Sequence, residues 1–394
     1  MKPLSQELFA RLEKQRADHL YRQLRSVDSA QGARIEMNRR EFINFSSNDY
    51  LGLANHEAVK EGALQAVRDY GAGSGASRLI CGSLKLHHLL EEQLAAFKGV
   101  EAALCFSTGY ATALGTIPCL MASGDVIVVD KLVHASLLDG ARLSGAKLRV
   151  FQHNDLGELE TILQWADKTV GSEGNILLIT ESVFSMDGDQ APLRELVALK
   201  ERYGAWLMVD EAHSAGLFGQ RGSGLIEELG LVNQVEIQMG TLGKSLGSSG
   251  GYIAGSRTLV DYLINRARSF IFSTAPNPAS SGAALAALKL LEKEGAERRQ
   301  VVWSLAQELR RMVLPLSKES PASLIHPYLV GDEQQALCLS KTFLEAGLMV
   351  PAIRYPTVRK GQARLRITVT HGHTIKDIEC LRSPLQSFSK DRIQ

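Results

Sequence analysis

The chain reads as an α/β protein: a mainly parallel, seven-stranded sheet covered by helices, followed by a smaller C-terminal α+β domain. Three observations predict this. Between residues 103 and 254, seven short apolar runs alternate with stretches of helical periodicity, the pattern of a parallel sheet buried on both faces. Ser185, Asp210, His213 and Lys244 follow the ends of those runs, where ligands of such sheets sit. A long helical stretch from Pro278 to Met312 then gives way to shorter strands and helices, ending in the alternating run Ala363–Val369.

Composition narrows the function classes. The 394 residues are 45% hydrophobic and 22% charged, the profile of an ordinary soluble protein with an ample core. Lys plus Arg number 44 against 43 for Asp plus Glu, a net charge of +1, so neither nucleic acid nor an anionic membrane is expected as a partner. No apolar run approaches the ~20 residues needed to span a bilayer, and the first residues lack the apolar core of a secretion signal. The five cysteines are scattered, with Cys105 and Cys119 in apolar context, which fits a reducing, cytoplasmic setting.

Along the chain, residues 5–25 place Leu8, Phe9, Leu12, Leu20 and Leu24 among many charges, as in an amphipathic helix. Glu41–Phe45 alternates as a strand, Ser46–Gly52 turns, and a helix is expected at about 56–69. The seven expected strands are Ala103–Phe106, Val126–Val129, Lys147–Phe151, Asn175–Thr180, Ala205–Val209, Gln234–Met239 and Tyr252–Ala254.

Several short segments carry chemistry. Gly71-Ala72-Gly73-Ser74-Gly75-Ala76 nearly matches a dinucleotide fingerprint, but a helix rather than a strand precedes it, which favours a loop whose backbone approaches a ligand or a neighbouring subunit. Ser107–Thr112 follows a strand and opens a helix; it is either a phosphate site or a plain N-cap. His134 can stack on an aromatic ring or be structural, and Ser185 lies beside a ligand or in a simple turn. Asp210 ends an apolar strand, where a carboxylate needs a cationic partner unless it caps the next helix. Lys244, between glycines, is either a solvated lysine or a desolvated nucleophile. A strand-end acid, a nearby His and a later loop Lys together suit pyridoxal phosphate (PLP): the amine forms a Schiff base and the acid keeps the pyridine nitrogen protonated. Arg364 and Arg366 share one face of a strand; one can clamp a carboxylate, and at least one is expected to be structural. His87-His88 and His371-Gly372-His373 lack Cys or carboxylate partners at ligand spacing, so no metal site is expected.

In these segments the chain resembles the α-oxoamine synthases, PLP enzymes of the fold-type I aminotransferase superfamily. The resemblance covers residues 17–385 and rests on Asn44–Gly52, Gly71–Gly82, Ser107–Tyr110, His134–Leu137, Thr180–Gly188, Val209–His213, Thr241–Lys244 and Pro356–Thr368. It implies a fold-type I aminotransferase-like architecture. The expected parts are an N-terminal helix and strand over 1–45, a large PLP-binding domain over 46–283 and a small C-terminal domain over 284–394. It implies that Lys244, His134, Asp210 and His213 form the catalytic set. His134 would stack on the cofactor ring, and His213 and Ser185 would contact its phenolic oxygen. Ser107, Gly109, Tyr110 and Thr241 would hold the phosphate, with Thr274 reaching the phosphate of a neighbouring subunit in a homodimer that shares its active sites. Arg366 would bind the amino-acid carboxylate, with Asn48, Thr357 and Arg22 as further substrate contacts and Arg22 opposite a distal carboxylate. Within the family the run at 44–53 and Pro356-Thr357-Val358 resemble the biotin-pathway branch. That branch joins L-alanine to a pimeloyl group delivered on coenzyme A or acyl carrier protein. The branch that joins glycine to acetyl-CoA is the alternative, and a PLP-free scaffold that kept the fold is a third.

Overall fold

The computed structural model of the chain describes residues 3–313 and 323–391; residues 1–2, 314–322 and 392–394, the last two stretches part of the expected C-terminal domain, lie outside them. The chain divides into two compact units, one made of Met1–Asn48, Met186–Gly188 and Val301–Gln394, the other of Asp49–Ser185 and Asp189–Gln300.

The first unit opens with helix α1 (Leu4–Ala17), on which no residue is buried. The expected helix over 5–25 thus stops early. Asp18 caps it, His19 turns into the left-handed region, and Leu24 stands fully exposed. Amphipathic spacing marks an apolar stripe but cannot say that the stripe is packed. A hairpin follows, β1 (Arg34–Met37) against β2 (Arg40–Asn44), and its turn residues Asn38 and Arg39 both have positive φ.

The second unit is built on strands β3 (Ala102–Phe106), β4 (Val126–Asp130), β5 (Lys147–Phe151), β6 (Ile176–Glu181), β7 (Trp206–Asp210), β8 (Ile237–Thr241) and β9 (Gly251–Gly255). They form one sheet in the order β3-β9-β8-β7-β6-β4-β5, in which β9 runs antiparallel to both of its neighbours and the other pairings are parallel. This is the expected seven-stranded sheet. Its largest shift is at β8, which starts at Ile237 because Val232–Gln234 winds into a short 3₁₀ turn. Val126–Val129, Leu177–Ile179 and Leu207–Val209 have no exposed surface, so continuous apolar runs mark strands covered on both faces. The covering helices are α2 (Glu57–Tyr70), α3 (Lys85–Lys98), α4 (Gly109–Leu120), α5 (Ala135–Ser144), α6 (Leu156–Val170), α7 (Leu193–Arg202), α8 (Leu225–Glu228), α9 (Arg257–Arg266), α10 (Arg268–Ile271) and α11 (Pro278–Val313). Residues 71–76 form the expected loop after α2. A Cβ on Gly251 would lie 2.4 Å from Thr112 Oγ1 and 2.7 Å from Gly109 Cα, so β9 reaches the start of α4 only as glycine.

In the rest of the first unit, β11 (Leu348–Met349) adds in parallel to β2. Strands β10 (Ile325–Gly331), β12 (Ala352–Ile353) and β13 (Ala363–Thr368) make an antiparallel sheet in the order β10-β13-β12. Helix α12 (Glu333–Glu345) packs on these strands. The expected boundaries at 45/46 and 283/284 stand beside a division at 48/49 and 300/301; the latter falls inside continuous α11, where no linker marks it.

Candidate active site

In the second unit the carboxyl ends of the parallel strands meet the starts of α4 and α5 around a cavity of about 180 Å³. Gly109, Tyr110, His134, Ser136, Glu181, Asp210, Ala212, His213, Met239, Thr241 and Lys244 line it. Seven of these were expected from sequence: Gly109, Tyr110, His134, Asp210, His213, Thr241 and Lys244.

Lys244 follows β8 in a tight turn closed by the Gly247 N–H donating to the Lys244 carbonyl at 2.8 Å. Gly247 has φ +60, and a Cβ there would lie 2.4 Å from the Ala54 nitrogen. The Lys244 Nζ lies 2.6 Å from His213 Nε2, and the other ring nitrogen of His213 lies 2.6 Å from the hydroxyl of fully buried Tyr50. A tyrosine–imidazole–amine chain therefore runs from the core into the cavity. Tyr50 was not expected as a site residue, although it lies in one of the quoted runs; nothing local distinguishes it from a core tyrosine.

Asp210 ends β7 with one carboxylate oxygen accepting the Ala212 N–H at 2.9 Å. Burial pushes its carboxyl up, while Lys244 and the Ala212 N–H pull it back. Glu181 ends β6 in register with Asp210 and was missed. Its carboxyl is pushed up to about 8, first by burial and next by the charge of Asp210. The signal that singled out Asp210, an acid closing an apolar strand, applies equally to Glu181.

Thr108 is the N-cap of α4, accepting the Ala111 N–H at 3.0 Å, so the N-cap reading of this turn is realised. A cap satisfies one N–H and leaves those of the first turn, Gly109 and Tyr110, directed at the cavity end of the helix dipole, which suits an anion. The Tyr110 hydroxyl donates to Asp139 at 2.5 Å. Thr241 Oγ1 donates to the Gly250 carbonyl and accepts the Gly243 N–H. His134 is the N-cap of α5, its Nδ1 near the Ser136 hydroxyl at 2.8 Å.

Ser107, Ser185 and Thr274 belong to the same unit but do not line the cavity. Ser107 is exposed beside the start of α4, and Ser185 is buried, its N–H held by Glu181. Thr274 is exposed and bridges to Ser77 of the glycine-rich segment. Arg22, Asn48, Thr357 and Arg366 belong to the first unit. There Arg22 donates to the Tyr355 carbonyl at 3.1 Å, Thr357 is exposed, Asn48 is half-buried and Arg366 is buried on β13. Of the two strand arginines, Arg364 is bound to Asp187 at 2.5 Å and to the Met186 carbonyl, and so is committed to structure. His87 accepts the Leu84 N–H and contacts the Pro276 carbonyl, and His373 accepts the Thr370 N–H.

The donor set fits pyridoxal phosphate: an amine for the aldehyde, a buried acid for the ring nitrogen, an imidazole at the rim and a helix start for the phosphate. Comparisons with known proteins agree. The model of the family "Aminotransferase class I and II" matches residues 40–383. A protein of Geobacter sulfurreducens named 8-amino-7-oxononanoate synthase is 45% identical over 391 residues, covering 98% of this chain and 99% of its own length. A protein of the same name from Nitrosococcus oceani is 44% identical over 92% of this chain and 96% of its own. Among solved structures, a serine palmitoyltransferase of S. paucimobilis with a bound PLP–myriocin aldimine superposes with a TM-score of 0.92 at 28% identity, covering 99% of both chains. The 8-amino-7-oxononanoate synthase of Francisella tularensis superposes with a TM-score of 0.75 at 29% identity, over 89% of this chain and 97% of its own. The fold is thus fold-type I aminotransferase-like and the cofactor is pyridoxal phosphate. The chain belongs to the aminotransferase class I and II family, in its branch of PLP-dependent acyltransferases named 8-amino-7-oxononanoate synthase.

Proposed function

We propose that the protein condenses L-alanine with a pimeloyl thioester, carried on coenzyme A or acyl carrier protein. The products are 8-amino-7-oxononanoate for biotin synthesis, CO₂ and the free thiol. The observation that carries this reading is full-length identity of 42–45% to relatives of that name, combined with one cavity holding Lys244, His213 and Asp210. Pyridoxal phosphate, when bound, supplies an electron-accepting ring conjugated to the amino-acid nitrogen, so negative charge at Cα is delocalised. Asp210 holds a proton on the ring nitrogen, which makes that delocalisation effective. The Lys244 amine would hold the cofactor and, with the amino acid bound, would take the proton from Cα of alanine and return one after CO₂ is lost. His213, backed by Tyr50, orients the Lys244 amine through the 2.6 Å contact. By the family resemblance Ser185 and His213 would contact the phenolic oxygen and His134 would cover the ring face, while Ser107, Gly109, Tyr110 and Thr241 would hold the phosphate. By the same resemblance Arg366 is assigned to the alanine carboxylate, Asn48 and Thr357 to the substrate, and Arg22 to the distal pimeloyl carboxylate.

The shared homodimer belongs to the same reading, with Thr274 serving the partner's phosphate. The exposed apolar residues Leu79, Ile80 and Phe272, on the two segments that meet at the Ser77–Thr274 bridge, support it. A thiol-release assay crossing alanine or glycine with pimeloyl-CoA or acetyl-CoA tests the chemistry, with Lys244→Ala as the blank. Each extra CH₂ buried is worth ~0.8 kcal/mol, so the pimeloyl donor with alanine is expected to show the highest kcat/KM. A higher value for glycine with acetyl-CoA transfers the protein to the other branch.

A further inference from the structure

Glu181 is 2% exposed, yet its carboxyl faces the cavity. It closes β6 in register with Asp210 on β7, and register partners on adjacent strands present their side chains to the same face. Its Oε1 accepts the His134 N–H at 2.5 Å, and the carboxyl also accepts the Ser185 N–H. One side chain thus ties the end of β6 to the residue that caps α5 and to the loop beyond the strand. The charged groups around it are Asp210, Lys244 and His134, with Glu211 behind Asp210 and Asp139 behind His134. Two buried carboxyls beside a single lysine cannot both ionise cheaply, a cost the fold accepts at this point. An apolar side chain here would avoid that cost but would leave two N–H groups without an acceptor.

We propose that Glu181 is a positioning residue of the cofactor site: its carboxyl fixes the backbone of His134 and Ser185, and thereby the side chains they present to the cofactor. The proposal rests on the assignment of His134 and Ser185 made above. Glu181→Ala removes both acceptors, whereas Glu181→Gln keeps the carbonyl oxygen and so one of the two bonds. In the cofactor-loaded full chain, Glu181→Ala is expected to speed hydrogen exchange in peptides covering residues 132–137 and 183–187. It should also raise the PLP dissociation constant roughly tenfold or more. Glu181→Gln should recover a substantial part of both. A merely structural carboxyl would lower Tm without moving exchange selectively at these two segments. Parent-like exchange and PLP affinity in Glu181→Ala overturn the proposal, as does a Gln variant no better than Ala. His134→Ala separates the two readings. Parent-like PLP affinity in that variant removes the assignment of His134, while the exchange data still judge the tie made by Glu181.

Discussion

Arg364 and Arg366 differ by two positions on β13, share a face and are both buried, and the reading proposed above gives them different tasks. Arg364 spends its guanidinium on Asp187 and the Met186 carbonyl. Removing it should cost stability, on the order of 2 kcal/mol because Asp187 keeps partial contact with water. Arg366 is assigned to the alanine carboxylate, so its loss should fall on binding. Arg366→Ala is expected to raise the KM for alanine by roughly 10- to 100-fold, and Arg364→Ala to lower Tm with a much smaller effect on that KM. Thermal melts and alanine titrations on both variants check this; the same pattern in the two would remove the distinction.

At the scale of elements, the connection after β5 is held by His153. Its Nδ1 lies 3.0 Å from Asp130 Oδ1 at the end of β4, and its Nε2 lies 2.6 Å from Asp189 Oδ2 after β6. Asn154, with φ +56, adds its own N–H to Asp130 and its amide to Asp189. Burial alone would lower the imidazole, but the two carboxylates hold it up to about 10. The folded value lies above the ordinary 6.5, so this stabilisation is complete below pH 6.5 and is lost as pH rises through about 10. His153→Gln should lower stability at pH 6 by a few kcal/mol, discounted from the full shift because the side chain is 23% exposed. The gap to the parent should close by pH 10 to 11. Denaturant midpoints across this range measure it, and a gap that stays constant with pH would refute a charged clamp.

For the whole molecule, the prediction concerns assembly. Phe272 is 71% and Ile80 78% exposed, on segments joined by the Ser77–Thr274 bridge. If this patch is the subunit interface, Phe272→Lys should shift the protein from dimer to monomer in light scattering. Cofactor affinity should fall with it, because Thr274 would no longer reach a partner's phosphate. A dimer of unchanged stability would move the interface elsewhere.

The sequence by itself determined the sheet, because seven apolar runs between helical stretches have few other ways to bury both faces. It also determined most of the cavity. Acids, histidines and amines at strand ends converge on one rim where the strands are parallel, so Asp210, His213 and Lys244 were legible from their positions, whereas Ser185, read in the same way, does not line the cavity and Thr241 was legible only from the resemblance. Only the tertiary structure decided the rest. Glu181 became a site residue through its register with β7 and the approach of the α5 start, and Tyr50 through contact with a histidine 163 positions away. Arg364 was separated from Arg366 by Asp187, 177 residues earlier in the chain. The stripe on α1 was legible as a pattern, while its exposure was not. Each of these depends on which distant segment arrives at a given face, and periodicity carries no record of that.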